Sequence, residues 1–293
     1  MDFNEGEIIY IDKPLHWTSF DVVKRIRLRI LRRIKQKKLK VGHAGTLDPL
    51  ATGVMIICTG RATKRIEEFQ YQTKEYIATL RLGATTPSFD LETEIDGVYP
   101  HEHITRESVE RTLPRFVGSI MQIPPSYSAC KVDGRRAYDM ARKGQAVDLK
   151  PKELVIDEIE LLSCELPEIK IRVVCSKGTY IRALARDIGE ALGSGAHLVG
   201  LIRTRVGDVT LADCLSVEQV ADMIDHIDVE PVLEEEKKEY EMQYPDVGEY
   251  DDAQKLALEK DVLGIYVSGH PLEKYMDSIE KQTTARSTDF EPD

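Results

Sequence analysis

A glycine-rich stretch at residues 40–53, followed by an apolar run, most constrains how this chain folds. The stretch is Lys-Val-Gly-His-Ala-Gly-Thr-Leu-Asp-Pro-Leu-Ala-Thr-Gly, and Val54 to Cys58 are apolar at every position. A short apolar run between turn residues is typical of a strand buried on both faces. Pro49 disfavours helical backbone at Asp48. The pattern therefore predicts a loop that presents one carboxylate next to a buried strand.

Two interpretations of Asp48 follow from these residues alone. The carboxylate is either an ordinary turn residue between two strands or an acid that the loop holds against a ligand. Glycines at 42, 45 and 53 are compatible with the second interpretation, because they allow backbone to approach a flat partner closely, but these residues alone favour neither interpretation. The rest of the chain must decide between them.

Other segments carry the signals of regular structure. Residues 74–83 alternate, which places Tyr76 on one face of a strand with three apolar side chains. Thr18 and Asp21 have the spacing of a capping box, which predicts a helix over 19–34. Further strands are predicted at 154–162, 169–175 and 199–209, and further helices at 104–116, 137–144 and 216–224.

This mixture of elements, without regular βαβ repeats, predicts an α+β fold. We expect a mostly antiparallel mixed sheet flanked by helices and loops. Residues 234–241 have the composition of a charged linker, and one more helix is predicted at about 251–263. We therefore expect a main domain over 1–232 and a short acidic tail over 233–293 that is mainly helical or disordered.

The charge of the chain is unevenly distributed. Residues 1–210 carry 33 Lys and Arg against 28 Asp and Glu, whereas 211–293 carry 7 against 23. Ten basic residues and no acid fall within 24–40. Such charges repel one another unless a polyanion neutralises them, so phosphate contact is favoured over a merely solvated helix face.

The sequence contains no signal for a membrane span, a metal centre or a cofactor. The N-terminus is acidic and no apolar run reaches spanning length, so we expect a soluble cytoplasmic protein. Five cysteines without C-x-x-C spacing are expected to be reduced thiols. The seven histidines are scattered, so no metal cluster is expected.

Arg182 lies in the first turn of a predicted helix that follows Gly178. The helix dipole is positive at this end, so a cation here is unfavourable unless an anion lies opposite. The position favours a carboxylate or phosphate partner for Arg182. A solvated arginine is the alternative.

Five motifs in this order resemble the TruB family of tRNA pseudouridine synthases, over residues 7 to about 230. They are Asp-Lys-Pro-x-x-Trp-Thr-Ser-Phe-Asp at 12–21, Val-Gly-His-Ala-Gly-Thr-Leu-Asp-Pro-Leu-Ala-Thr-Gly at 41–53, Lys-Glu-Tyr-x-Ala-x-Leu-Arg-Leu-Gly at 74–83, Pro-Pro-Ser-Tyr-Ser-Ala-x-Lys at 124–131 and Gly-Thr-Tyr-Ile-Arg-Ala-Leu-Ala-Arg-Asp at 178–187. The resemblance implies the pseudouridine synthase fold.

The resemblance also implies roles for individual residues. Asp48 would be the catalytic aspartate, Tyr76 would stack on the target base, and Arg182 would pair with Asp48. Tyr180 and Leu201 would line the rest of the pocket.

Further roles concern the RNA itself. His43 would fill the space that a flipped base leaves in its stack. RNA contacts are expected at Lys13, Lys37, Lys38, Lys40 and Lys64.

The implied reaction is the isomerisation of uridine 55 to pseudouridine in the T-loop of tRNA. The bond from ribose C1′ to N1 breaks, the uracil turns, and C1′ joins C5. The sequence leaves three routes open for Asp48: attack at C6, attack at the ribose, or a glycal route. An arginine opposite would keep the carboxylate ionised in a partly dry pocket. The expected partner is the T-arm of tRNA, bound by a monomer.

Two departures from the family pattern stand out. The usual Thr-Asp-Thr-x-Asp run is here Thr-Pro-Ser-Phe-Asp at 86–90, which affects the contacts of that loop. No segment resembles the second RNA-binding domain, often of the PUA type, that family members usually carry. Residues 239–293 instead resemble a fragment of the bacterial DNA polymerase III α subunit, which we interpret as a product of gene fusion or sequence assembly.

Two other classes of function are compatible with parts of this pattern. A non-catalytic tRNA-binding chaperone would use the same groove and basic surface without needing Asp48 or Arg182. A replication-associated interaction protein would depend on the tail alone.

Overall fold

The computed structural model of the protein describes residues 1–128, 130–132, 135–141, 143, 149–227, 254, 256 and 257. Contacts between residues divide the chain into Met1–Glu230 and Pro231–Asp293. The helix predicted at 251–263 lies almost entirely outside the described residues, of which 254, 256 and 257 are helical. No helix in the described part of the chain is both long and apolar enough to cross a membrane.

The first unit is an α+β structure, as the sequence predicts. Its strands are β1 (Ile8–Lys13), β2 (Val41–Ala44), β3 (Ala51–Thr59), β4 (Lys74–Leu82), β5 (Ala84–Thr85), β6 (Gly97–Val98), β7 (Gly118–Gln122), β8 (Lys131–Val132), β9 (Arg135–Arg136), β10 (Lys152–Glu165), β11 (Glu168–Cys175), β12 (Ala196–Val206) and β13 (Val209–Thr210). Its α-helices are α1 (Ser19–Arg33), α2 (Ile66–Tyr71), α3 (Arg106–Thr112), α4 (Ala137–Ala141), α5 (Ile181–Ala191) and α6 (Val217–His226). Short 3₁₀ helices cover Gly60–Arg65, Leu113–Phe116 and Leu211–Asp213.

One mixed sheet of nine strands forms the centre of this unit. Its strand order is β1-β3-β12-β4-β11-β10-β7, with β2 paired to β3 and β13 paired to β12. Among the described strands, β3 and β12 form a parallel pair and the other pairs of this sheet are antiparallel. The prediction of a mostly antiparallel mixed sheet is therefore confirmed.

Strand β3 is a central strand, as its apolar run predicts. Val54 to Cys58 are fully buried, and β3 pairs with β1 on one side and with β2 and β12 on the other. Its two faces lie in different apolar clusters: Met55 and Ile57 pack with α1 and α6, while Val54 and Ile56 pack with Val206. Because both faces of the strand contact apolar side chains, apolar and polar residues do not alternate along it. This explains the continuous apolar sequence.

Helix α1 begins at the predicted capping box. The Thr18 hydroxyl accepts from the backbone N–H of Asp21, and the Asp21 carboxylate accepts from the backbone N–H of Thr18. Two arginines of its basic face are used inside the protein. Arg29 Nη2 lies 3.3 Å from Asp225 Oδ2, and Arg33 Nε donates to the carbonyl of Ile227 over 3.0 Å. These two side chains therefore fasten the end of α6 to α1, and the phosphate contact expected of segment 24–40 stays a prediction for its other basic residues.

Strand β4 runs between β12 and β11 and shows the predicted alternation. Tyr76, Ala78, Leu80 and Leu82 are buried on one face, where α5 packs. The helix predicted at 104–116 is shorter than expected. It is α-helical at Arg106–Thr112 and continues as a 3₁₀ turn over Leu113–Phe116, which contains Pro114.

Candidate active site

A cavity of about 550 Å³ opens where the β2–β3 loop, strands β4 and β12 and the start of α5 meet. Its wall brings together five of the residues predicted from the sequence: Asp48, Tyr76, Tyr180, Arg182 and Leu201. These residues are distant in sequence, so the fold itself assembles them. The volume lies within the ~300–1,000 Å³ that is common for small-ligand sites.

Asp48 is held by hydrogen bonds on both sides of the loop. The buried Ser19 hydroxyl accepts from the N–H of Leu47 over 2.9 Å and donates to its carbonyl over 3.1 Å. On the other side, the N–H of Ala51 donates to the Asp48 carbonyl over 3.0 Å. The carboxylate itself is 40% exposed. The turn thus presents the acid to the cavity, so the two interpretations of Asp48 are compatible with each other.

The glycines of this loop serve contacts within the protein. Gly53 has φ +108°, and a Cβ atom there would lie 2.2 Å from the carbonyl oxygen of Arg203 in the neighbouring strand. Gly45 has φ +88°. The conformation of Gly53 allows β3 to approach β12 closely, whereas Gly45 lines the cavity.

Arg182 faces Asp48 across the cavity floor. Its guanidinium is buried, and Nε lies 2.9 Å from Asp48 Oδ2. The two remaining nitrogens donate to backbone carbonyls, Nη1 to Ser88 over 3.0 Å and Nη2 to Tyr127 over 2.9 Å. Three directions of the planar group are therefore occupied. Asp48 is therefore the anion that is expected opposite a cation in the first turn of α5.

A second carboxylate, Asp90, also approaches Arg182, and the sequence did not predict it. Asp90 is buried, with Oδ2 3.6 Å from Arg182 Nε and Oδ1 2.6 Å from the Ser88 hydroxyl that donates to it. The loop turns at Phe89, which has φ +62°, a conformation that is uncommon for a non-glycine residue. Segment 86–90, whose sequence differs from the family pattern, thus holds the Arg182 guanidinium through the Ser88 carbonyl and the Asp90 carboxylate.

Arg203 is another residue of the site that the sequence did not single out. It is 1% exposed and lies on β12 directly opposite Tyr76 of β4. Its Nε donates to the carbonyl of Val54 over 2.7 Å and its Nη2 to that of Gly45 over 3.2 Å. Arg203 therefore ties both ends of the Asp48 loop to the sheet. Hydropathy predicts that an arginine is exposed, so the sequence did not indicate this buried structural role for Arg203.

The aromatic walls of the cavity are uncharged phenols at neutral pH. Burial raises the pKa of Tyr76, and burial, with a contribution from the neighbouring Cys130 thiol, raises the pKa of Tyr180 to about 12. Gln122 fixes Tyr180, because its side chain accepts from the Tyr180 N–H and donates to the Tyr180 carbonyl. Leu201 is half-buried beside Ala51 and Ala78 of the adjoining strands. Such walls can sandwich a flat ring.

His43 lies on β2, five residues before Asp48, and does not line this cavity. His43 is half-buried, and its Nδ1 atom is shielded from solvent. Burial lowers the pKa of His43, so the imidazole is neutral at pH 7. A neutral ring is compatible with contact to stacked bases.

The predicted RNA-binding lysines divide into two groups. Lys37, Lys38, Lys40 and Lys64 line one open groove of about 590 Å³, together with Arg27 and Arg61. Lys13 does not belong to this groove. It is fully buried, and its ammonium donates to the carbonyls of Pro14 and Trp17. The expectation that Lys13 contacts RNA is therefore corrected: its donors are directed to backbone inside the protein.

Comparison with known proteins decides the family. A model of the TruB family pseudouridylate synthase N-terminal domain matches residues 32–181, and a model of the tRNA pseudouridylate synthase B C-terminal domain matches residues 182–237. The chain belongs to the TruB family of pseudouridylate synthases.

Two relatives within the TruB family align over nearly their whole length. The chain is 74% identical to tRNA pseudouridine synthase B of Phocaeicola vulgatus over 235 residues, which cover 80% of this chain and 100% of that protein. It is 49% identical to the protein of the same name from Flavobacterium johnsoniae over 217 residues, which cover 74% and 95%.

A solved structure agrees with the TruB assignment at the level of the fold. A Cbf5–Nop10–Gar1 complex contains a chain that matches with a TM-score of 0.56 at 28% identity. The match covers 75% of this chain and 54% of the solved one, so this chain spans about half of the length of that protein. The expected pseudouridine synthase fold is thereby confirmed.

Proposed function

We propose that this protein isomerises uridine 55 to pseudouridine in the T-loop of tRNA. The observation that carries the proposal is the pair of Asp48 Oδ2 and Arg182 Nε, 2.9 Å apart on the floor of a cavity with tyrosine walls. The pair lies in a chain of the TruB family. Relatives named tRNA pseudouridine synthase B support tRNA as the substrate.

Asp48 is the catalytic residue in this proposal. The reaction breaks the bond from C1′ to N1, turns the uracil and forms the bond from C1′ to C5. C5 then loses its proton and N1 gains one, so atoms and electrons balance without a co-reactant. The carboxylate acts at C6 of the uracil, at the ribose, or through a glycal, and all three routes need it ionised. Arg182 fixes the orientation of the reacting oxygen by a charge-assisted hydrogen bond.

Tyr76 and Tyr180 hold the extruded uracil between aromatic surfaces, and Leu201 closes the apolar side. Removing a base from its stack costs a few kcal/mol, and contacts of this kind offset that cost. We assign His43 to the space that the flipped base leaves, because the imidazole is neutral and lies on the strand leading into the Asp48 loop.

The basic groove supplies affinity for the tRNA backbone in this proposal. Lys37, Lys38, Lys40 and Lys64 come from the segment after α1 and from the 3₁₀ turn after β3, and they converge on one depression. Convergence of like charges favours a polyanion over solvent as the partner. A monomer acting in the cytoplasm, on the T-arm and without a metal, is sufficient for this function.

The domain organisation remains a proposal as well. We assign catalysis to residues 1–232 and regard 233–293 as an acidic tail without a role in the reaction. The family models end at residue 237, which supports this division. The resemblance of residues 239–293 to DNA polymerase III α supports a fusion or assembly product. Sequencing of the gene across codons 225–250 tests it, since an unbroken junction in independent isolates would exclude an assembly error.

One assay tests the proposed activity directly. The purified protein is incubated with a T-arm stem-loop RNA, and pseudouridine is measured by nucleoside analysis after digestion. We expect one equivalent of pseudouridine per RNA, and none in the RNA that carries cytidine at position 55. A protein that binds this RNA and refolds it without forming pseudouridine would support the chaperone alternative instead.

A further inference from the structure

An exposed patch of aromatic, apolar and basic side chains surrounds the start of α1. We call it the stacking patch. Its members are Leu15, His16, Trp17, Phe20, Lys24, Arg25 and Leu28. Five of them, all except Leu15 and Phe20, line an open hollow of about 370 Å³. The chemistry proposed for Asp48 uses none of these side chains.

The apolar members are unusually exposed for their size. Phe20 is 69% exposed, Leu15 48% and Leu28 40%, and Trp17 is only partly buried. Single exposed apolar residues are ordinary, but several of them around the start of one helix form a surface of the kind that binds a ligand.

The patch is joined directly to the loop that carries Asp48. The N–H of His16 donates to the carbonyl of Pro49 over 2.8 Å, and Ser19, between Trp17 and Phe20, makes both side-chain hydrogen bonds to Leu47. His16 has φ +67°, outside the conformations that such a residue prefers. The patch therefore adjoins the loop that carries Asp48.

The positive charge of the patch is complementary to the negative charge of nucleic acid. Lys24 and Arg25 are exposed along the hollow. Asp21 also lines it, but its carboxylate already accepts hydrogen bonds from the Thr18 N–H and hydroxyl at 2.9 and 2.6 Å. Exposed aromatic rings next to cations are the combination by which proteins bind unpaired nucleotides, through base stacking and phosphate contact.

We propose that the stacking patch binds unpaired nucleotides that adjoin the target uridine. The inference rests on the proposed function, because it takes the RNA of that reaction as the ligand. Extrusion of the uridine into the cavity removes a stacking partner from its neighbours. Phe20 and Trp17 offer replacement surfaces next to the loop where the extruded base is held.

The single tryptophan of the chain provides a direct reporter, because Trp17 belongs to the patch. Asp48→Asn protein is titrated with T-arm stem-loop RNA while tryptophan fluorescence is recorded, with N-acetyltryptophanamide as the correction for absorbance. Filter binding measures occupancy independently. We expect a saturable fluorescence change with the same Kd as filter binding.

Two substitutions and a matched control connect the signal to the patch. Phe20→Ala should raise the Kd for the RNA about tenfold, the size expected for one lost base stack, and Leu28→Ala should raise it less. Leu162→Ala is the control, since Leu162 on β10 has the same 40% exposure as Leu28 but lies outside the patch. Thermal unfolding followed by circular dichroism verifies that each variant is folded.

The outcomes separate this inference from the proposed function. If the RNA binds and is converted by the wild-type protein, but fluorescence stays constant and Phe20→Ala binds like Leu162→Ala, the patch is assigned to another ligand class and the inference is overturned. If the RNA neither binds nor reacts, the proposed function fails and the inference fails with it.

Discussion

Arg182 determines the geometry of the cavity through three separate contacts. Its Nε, Nη1 and Nη2 face Asp48, the Ser88 carbonyl and the Tyr127 carbonyl, respectively. A lysine ammonium also has three donors, but they radiate from one nitrogen and cannot reproduce the planar arrangement of the guanidinium nitrogens. The planar guanidinium is therefore required for orientation as well as for charge.

We predict that Arg182→Lys lowers the single-turnover rate of pseudouridine formation by roughly 10²-fold, since a small displacement of a reacting group has this effect. Binding of tRNA should change little, because the basic groove is untouched. Arg186→Lys is the control four residues further along α5, where the guanidinium pairs with Asp187. Equal rates for Arg182→Lys and the wild-type protein would remove Arg182 from the mechanism.

Lys13 shows how burial changes the role of a charged residue. Burial lowers its pKa to about 8, and the charge of Asp48 opposes this shift. An unfolded lysine has a pKa near 10.4. Between about pH 8 and 10 the unfolded chain therefore binds a proton that the folded protein has released, so this residue makes stability rise with pH.

We predict that the unfolding free energy of the wild-type protein increases relative to that of Lys13→Met when the pH rises from 7.5 to 10. Urea unfolding at the two pH values measures it. Lys13→Met should leave the salt dependence of tRNA binding unchanged, because its ammonium faces backbone carbonyls. A pH-independent difference would indicate an ordinary pKa for Lys13.

The sequence predicted part of this site and missed part for identifiable reasons. Asp48, Tyr76, Tyr180, Arg182 and Leu201 were placed by a family resemblance, and the structure brings them to one cavity. The contributions of Asp90 and Arg203 were not predicted. They depend on the turn at residue 89 and on pairing between distant strands, which no local pattern records.

For helices and strands, the local pattern of apolar and polar residues was the most reliable indication of structure. The alternation of β4 and the apolar run of β3 each depend on neighbours within a few residues, and both strands form as predicted. The basic face of α1 was interpreted less well. The spacing of apolar residues in α1 shows which side is polar. It does not show that Arg29 and Arg33 contact the end of α6, which lies much later in the chain.

The basic groove makes a prediction about salt dependence. The double charge reversal Lys37→Glu/Lys38→Glu should weaken tRNA binding and reduce the slope of log K against log salt by about 1.5, because each lost phosphate contact removes ~0.7–0.9. Lys170→Glu, an exposed lysine on β11 outside the groove, should leave the slope unaffected. An unchanged slope for the double variant would place the tRNA backbone elsewhere.

For the whole molecule, the division between the enzyme and its tail can be tested by truncation. We predict that a chain ending at residue 237 forms pseudouridine at a rate within about twofold of the full chain and unfolds at the same temperature, because the family models end there. Both proteins are compared by the nucleoside assay and by calorimetry. Loss of turnover after truncation would give residues 238–293 a role in the reaction.

The central claim is that Asp48 performs the chemistry while other surfaces bind the tRNA. Asp48→Asn preserves the size of the side chain, and Arg182 keeps the Ser88 and Tyr127 carbonyls and the Asp90 carboxylate as partners, so the cavity should persist. The decisive measurement is pseudouridine formation by this variant at saturating T-arm RNA, with the Kd determined alongside. We predict no detectable product and a Kd within a few-fold of the wild type, whereas substantial turnover would contradict the account.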